Sequence, residues 1–214
     1  MSDTGLRDTG LRNTGLRERK KQRMYQEVSE LAIALFLEKG FEKVSVAEIA
    51  AAAEISKPTL FRYFPTKEDL VLHRFADHEE EAARIVEERS KGQSPLDALR
   101  VHFLDGLERC DPVTGLNDAG PVLAYHRLLY GTPSLVARLY GFLERSEEAL
   151  ARALGGDLEA RLAAGQMVAV RRILAMENVR RMAAGERAEE VRADAVAAAE
   201  LAFRQLGAGL KRFA

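Results

Sequence analysis

Between residues 55 and 67 the chain carries Lys57, Arg62 and Lys67 with no acidic residue, and sets Phe61, Tyr63 and Phe64 among them. Cations in this density pair phosphate oxygens. The hydroxyls of Thr59 and Tyr63 add neutral hydrogen bonds, and Leu60 and Phe64 make an apolar edge that can hold the segment on a scaffold. The set suits contact with a polyanion better than bond-making. It needs a helix, and the flanking residues supply one. Ser56 is an N-cap and Pro58 sits in the first turn, where a missing N–H has no helical partner to lose.

The elements around that helix read clearly over residues 45–70, SVAEIAAAAEISKPTLFRYFPTKEDL. Ser45 with Glu48 is a capping-box start for a short helix near Val46, whose Val46, Ile49, Ala50 and Ala53 recur at helical spacing. Ile55-Ser56 makes the turn, and the second short helix covers 57–64. Pro65 ends it, and Thr66 with Asp69 starts another. Upstream, a helix from about Arg17 places Met24, Val28, Ala32, Leu35 and Phe36 on one stripe. It ends at Gly40, expected in left-handed geometry with Phe41 folding back as its apolar contact.

The run from Leu31 to Leu70 resembles the DNA-binding domain of the tetracycline-repressor (TetR) family of transcriptional regulators. The resemblance rests on Gly40-Phe41, Ser45-Val46, Ile49-Ala50, Ser56-Lys57, Thr59-Leu60-Phe61, Tyr63-Phe64 and Lys67-Glu68-Asp69-Leu70. It implies that Thr59, Tyr63 and Lys67 fall at phosphate-contacting positions, and Lys57, Pro58 and Phe61 at positions that can reach bases. With Arg62 and the helix-capping Ser45, these form the expected DNA-binding set. Glu54 stands where the family usually has glycine, and Phe61 where tyrosine is common; a phenyl ring can still touch a thymine methyl.

Charge is distributed to match. The net charge of the chain is −1, unusual for a nucleic-acid binder, and residues 1–70 hold 12 Lys+Arg against 11 Asp+Glu, or +1. Yet residues 17–23 carry Arg17, Arg19, Lys20, Lys21 and Arg23 against Glu18 alone, and local charge is what meets phosphates. The tail before them repeats TGLR at 4–7, 9–12 and 14–17. A period of five spirals the leucines around a helix and forms no face, so residues 1–16 are expected to be a disordered repeat tail. The alternative is an arginine arm in the minor groove.

The remainder, residues 71–214, reads as a helical ligand-binding and dimerisation domain after a DNA-binding domain at 17–70. Strand signals are nearly absent, so the fold class is all-α, with about nine helices. A helix from Thr66 is expected to run unbroken to Ser90. Helices follow from Ser94-Pro95, over 122–130, from Thr132-Pro133 to Leu154, from Asp157 to about Ala184, and over the last stretch with Val191, Ala195, Ala199, Leu206 and Leu210. The loop at 110–121 is the longest irregular segment. The last two helices are apolar on more than one face, which predicts a four-helix bundle completed by a second copy.

Catalytic and cofactor motifs are missing: no Gly-rich phosphate loop, no Cys-x-x-Cys, no His-Glu-x-x-His and no Gly-x-Ser-x-Gly. His73 and His78 are five apart, off the spacing of a helical metal pair. The single Cys110 excludes an internal disulfide, and no apolar run is long enough for a membrane span, so a cytoplasmic protein without membrane partner, metal or cofactor is expected. Polar groups on apolar helices stand out instead: Tyr125, His126, Tyr130, Arg171 and Asn178. A site for an apolar organic ligand with one polar or acidic end is expected among Phe103, Leu107, His126, Tyr130 and Arg171. The combined reading is a homodimeric, ligand-responsive regulator of the repressor type, not an enzyme, bound to a near-palindromic operator in double-stranded DNA and released by a small molecule. Two alternatives stay open: a constitutive DNA-binding protein, or a small-molecule-binding protein or enzyme that kept the fold without using DNA.

Overall fold

The computed structural model of the chain describes residues 8–76 and 78–214, with the side chains of 8–20 and 76 left aside. Among these residues there are ten α-helices, two short 3-10 turns and no strand. The chain divides into two compact units, residues 1–73 and 74–214.

The first unit contains α1 (Asp8–Lys39), the 3-10 turn Phe41–Lys43, α2 (Val46–Ala52), α3 (Lys57–Tyr63) and most of α4 (Lys67–Ala76). α1 already begins at Asp8, inside the stretch expected to be a structureless tail. A glycine costs a helix only about 1 kcal/mol relative to alanine, and extending a helix adds a hydrogen bond per residue, so TGLR units 9–12 and 14–17 continue it. The first TGLR unit, and the side chains of Arg17, Arg19 and Lys20, lie outside the described residues. α1 stops at Gly40, whose φ of 92 is positive but whose ψ of 141 is extended. The predicted left-handed C′ geometry is thus replaced by one still open chiefly to glycine. The Phe36 and Phe41 rings pack at 4.8 Å across it.

Each short helix is capped as its sequence dictates. Ser45 Oγ accepts from Glu48 N at 3.1 Å and Ser56 Oγ from Thr59 N at 3.2 Å. Thr66 and Asp69 cap each other reciprocally at 3.0 and 3.3 Å. The Glu48 carboxylate is held by Lys39 Nζ at 2.5 Å. Phe36, Ile49, Leu60 and Leu70 are fully buried between these helices, and Ser29 Oγ donates to the Leu70 carbonyl at 2.7 Å, so α1 and α4 clamp α2 and α3. Truncating Leu60, the buried side of α3, to alanine removes about 2–5 kcal/mol.

The second unit contains α5 (Glu81–Glu87), α6 (Pro95–Glu108), a 3-10 turn at Pro112–Thr114, α7 (Gly120–Gly131), α8 (Pro133–Ala153), α9 (Leu158–Ala183) and α10 (Ala188–Gly209). One expectation fails here: no single helix runs from 66 to 90. α4 ends at Ala76 and residues 78–80 form a turn before α5. Three-residue backbone bonds from His78 N to Phe75 O and from Glu81 N to His78 O tighten the chain there. Arg145 and Arg171, distant in sequence, hold Glu79 and Glu81 at 2.9 and 3.5 Å. Those ion pairs are tertiary, so helix propensity alone cannot show the break.

α6, α9 and α10 close a core that includes Leu99, Phe103, Leu107, Met167 and Phe203. The long loop is pinned to α9. Gly115 has φ 74, and a Cβ there would lie 2.1 Å from the Ala175 carbonyl oxygen, which leaves glycine alone able to pass. Beside it Asn178 Nδ2 donates to Thr114 O at 2.9 Å.

Candidate nucleic-acid interface and ligand cavity

α3 turns its buried face, Leu60, toward the scaffold and leaves Lys57, Pro58, Phe61 and Arg62 exposed. Phe61 is 48 % exposed, high for a phenyl ring. The Arg62 guanidinium stands 5.1 Å over the Tyr63 ring and reaches the Tyr63 hydroxyl at 3.4 Å. Tyr63 is itself held by Tyr25 of α1, edge to face at 5.1 Å, while Tyr25 also meets Phe64 at 5.2 Å and stacks on His73 at 5.1 Å. Edge-to-face pairs add about 0.5–1.5 kcal/mol each beyond burial. This ring cluster fixes the pitch of α3. No motif marks Tyr25 in the sequence, because its role arises only when α1 crosses α3.

Besides Arg62 and Tyr63, three more of the expected DNA-binding residues have protein partners. Ser45 and Thr59 belong to helix starts, with the Thr59 hydroxyl 2.8 Å from Ser56 Oγ. The Lys67 ammonium donates to the Phe41 carbonyl and lies 4.3 Å from the Phe41 ring centre. Lys67 thus joins α4 to the Phe41–Lys43 turn, and an ammonium with three donors keeps two for other acceptors. Glu54, in the turn before α3, has φ 54. A non-glycine residue pays roughly 1–2 kcal/mol for that conformation.

In the second unit a cavity of about 220 Å³ is bordered by Phe103, Tyr130 and Arg171, together with Phe75, Glu81 and Phe142. His126 borders a second, adjoining cavity of about 230 Å³. Leu107 borders neither; it is fully buried in the core beside Leu99 and Leu116. The expected single site is therefore two, and Leu107 is corrected to a core residue, because its turn of α6 faces the helices and not the space between them. Asn178 is likewise structural, through Thr114.

Among the polar groups at the first cavity is Arg171, 16 % exposed in its side chain, facing Glu81 at 12 %. Glu81 also lies 3.1 Å from His78 Nδ1. Burial pushes the Glu81 carboxyl up, but the His78 hydrogen bond and charge, then Arg171 and His102, outweigh it and hold the group at about 2. Burial pulls the Arg171 guanidinium down, opposed by Glu81. Sequence reasoning missed Glu81 and His78, since only the turn at 78–80 brings them to α9. Tyr125, stacked on Phe75 at 6.5 Å, and Tyr130 are pushed up by burial and stay neutral.

Residues 29–73 match the model of bacterial regulatory proteins of the tetR family. Over 133 residues, 61 % of this chain, it is 34 % identical to the HTH-type transcriptional regulator TcmR of Streptomyces glaucescens, of which the match covers 57 %. It is 39 % identical over 74 residues to the uncharacterized HTH-type transcriptional regulator YuxN of Bacillus subtilis, 34 % of this chain and 25 % of that protein. The matches thus span about half or less of these curated relatives. Two solved structures share the fold. A TetR-family regulator of Mesorhizobium loti has a TM-score of 0.54 at 20 % identity over 88 % of this chain and 96 % of its own. One of Streptomyces coelicolor has 0.54 at 21 % over 86 % and 96 %.

Proposed function

We propose that this chain, a member of the tetR family of bacterial regulatory proteins, acts as a homodimeric repressor that reads a near-palindromic operator with α3 and leaves it when a small organic molecule enters the second unit. The observation that carries the reading is the outward set Lys57, Phe61 and Arg62 on a helix whose other face is locked by Leu60 and the Tyr25 rings. An exposed aromatic between two cations, on a rigid short helix, is what base and phosphate contact requires.

Dimerisation is supported by apolar side chains left in solvent on the last two helices. Leu162 of α9 is 59 % exposed and Leu201 of α10 is 50 % exposed, with Leu158 and Ile173 also open on α9. A second copy buries such a face isologously, and its two-fold axis sets two heads for half-sites one helical turn or a multiple apart. The ligand cavity is bordered by Phe75 at the end of α4 and by His78, Glu79 and Glu81 beyond it. A ligand there acts on the segment that leads the chain out of the reading unit, through a turn and not through the continuous rod expected from sequence.

Electrophoretic mobility shift with fragments of the source genome tests the reading. Retention of a small set of fragments in preference to random DNA of equal length is expected. Equal retention of all fragments leaves only a constitutive, unspecific binder, and no retention removes DNA from the function.

A further inference from the structure

The cavities bordered by Arg171 and by His126 share a wall: Phe75, His78, Val113, Tyr130 and Ala175 border both. Neither volume reaches the roughly 300 Å³ at which small-molecule pockets begin, whereas the pair together does. Each also contains one buried polar atom without a hydrogen-bond partner among the described residues, Arg171 Nε in the first and His126 Nδ1 in the second. His126 is only 8 % exposed. A buried polar atom left unsatisfied costs about 1–3 kcal/mol; both atoms are covered by their neighbours, and the side chains that carry them border the cavities, so a small rotation of either side chain toward a bound molecule relieves that cost.

The two atoms want different partners. A guanidinium is always cationic, and Glu81 meets only its terminal nitrogen, at 3.5 Å. Charge-assisted bonds close to about 2.7–2.9 Å, so Glu81 is a loose partner that leaves the Arg171 guanidinium able to take another anion. Arg172 borders the same cavity, and the other carboxylate there, Glu79, is engaged by Arg145. The balance around the cavity therefore favours an added negative charge. At His126, burial pulls the imidazole down from 6.5 and keeps it neutral at pH 7, which suits an uncharged hydroxyl or carbonyl. Between them the walls are aromatic, with Phe75, Phe103, Tyr130, Tyr140 and Phe142.

We propose that the two adjoining cavities together take one flat, elongated organic acid, its carboxylate on the Arg171 guanidinium and a neutral oxygen function at its far end on the His126 imidazole. The proposal rests on the reading of residues 74–214 as the effector unit of a regulator.

The probes are 6-hydroxy-2-naphthoic acid and the longer 4′-hydroxybiphenyl-4-carboxylic acid, each compared with its methyl ester and with the analogue lacking the hydroxyl. Binding is measured by isothermal titration calorimetry at pH 7 on the full chain. At least one hydroxy acid should bind. Its ester should bind about tenfold or more weakly, as expected for loss of a charge-assisted bond, and the analogue without hydroxyl about threefold to tenfold weaker. Replacing Arg171→Met together with Glu81→Gln, which neutralises the pair without stranding a charge, should level acid and ester. His126→Leu should level the compounds with and without hydroxyl and leave the preference for acid over ester. Equal binding of acid and ester by the unaltered chain, persistence of either preference in its matching variant, or no binding by any probe overturns the proposal. The mobility shift without probe tells this apart from failure of the regulator reading, because DNA retention does not depend on the acid. Binding as stated with operator affinity unchanged sustains the ligand chemistry and removes the effector role.

Discussion

In the first unit two cations, Lys57 and Arg62, lie exposed on the outer face of α3. In the second unit Arg171 points inward, against Glu81, with one nitrogen buried and without a hydrogen-bond partner among the described residues. Basic side chains are thus placed to suit two kinds of recognition. An exposed cation costs little to hold and gives up counterions when it meets phosphate, so it suits a large, uniform polyanion. A buried one is costly unless paired and suits a single small acid of fitting shape.

The largest expected effect concerns the faces that would bring two reading units together. A truncation after Gly185 is a poor test, because it removes Val191, Ala199 and Phe203 from the core. Leu162→Glu with Leu201→Glu alters only exposed positions. Light scattering at micromolar concentration should then show monomers, and operator affinity should fall about a hundredfold or more with the loss of two-headed binding. A variant that stays dimeric moves the interface elsewhere.

Next come the cations themselves. Lys57→Ala or Arg62→Ala should lower operator affinity by about tenfold or more and flatten its salt dependence by roughly two contacts per dimer. The Arg171→Met, Glu81→Gln double variant should leave that slope unchanged in the absence of ligand. If it flattens the slope as well, the contrast between the units breaks. Lys67→Ala sharpens it: besides a flatter slope, thermal unfolding should show a loss on the order of 1 kcal/mol, from the Phe41 carbonyl bond and the ring contact. Lys57→Ala should leave stability as it is.

Why the first unit was legible and the second less so follows from where the information sits. Ser45, Ser56 and Thr66 cap their own helices within three residues, so the helix starts are local facts of the sequence. Exposed residues of α3 carry their chemistry without help from distant neighbours. The break after Ala76, by contrast, depends on Arg145 and Arg171, and the role of Tyr25 on a crossing of helices. In the second unit Tyr130 and Arg171 stand out in the sequence as polar groups on apolar helices, and both border the first cavity, as does Phe103. Leu107 has the same periodicity as Phe103 one turn earlier, and only packing separates a wall of the cavity from the core.

A smaller effect appears at low pH. Glu81 is held at about 2 in the folded chain, below the range of an unfolded carboxyl near 4.3. The unfolded state therefore binds the proton first as pH falls. The stabilisation is complete above the unfolded value and is lost as pH drops through about 2, a contribution on the order of 3 kcal/mol. Acid titration followed by circular dichroism should show a shallower loss between these limits for Glu81→Gln than for the unaltered chain. The smallest effect is at Glu54, whose φ of 54 suits glycine. Glu54→Gly should raise stability by up to about 1 kcal/mol, since relief of strain is partly offset by the freedom glycine adds to the unfolded chain. A drop in melting temperature would mean that the Glu54 side chain stabilises the turn.

The most direct test of the central claim, that α3 reads DNA as one of a two-fold pair, is hydroxyl-radical footprinting of the chain on a fragment it retains from the source genome. Two protected patches related by a two-fold axis are predicted, about one helical turn or a multiple of it apart, with both shifted together to about tenfold or more higher protein concentration in Arg62→Ala. A single unpaired patch, or protection at unchanged concentration in Arg62→Ala, would contradict the account.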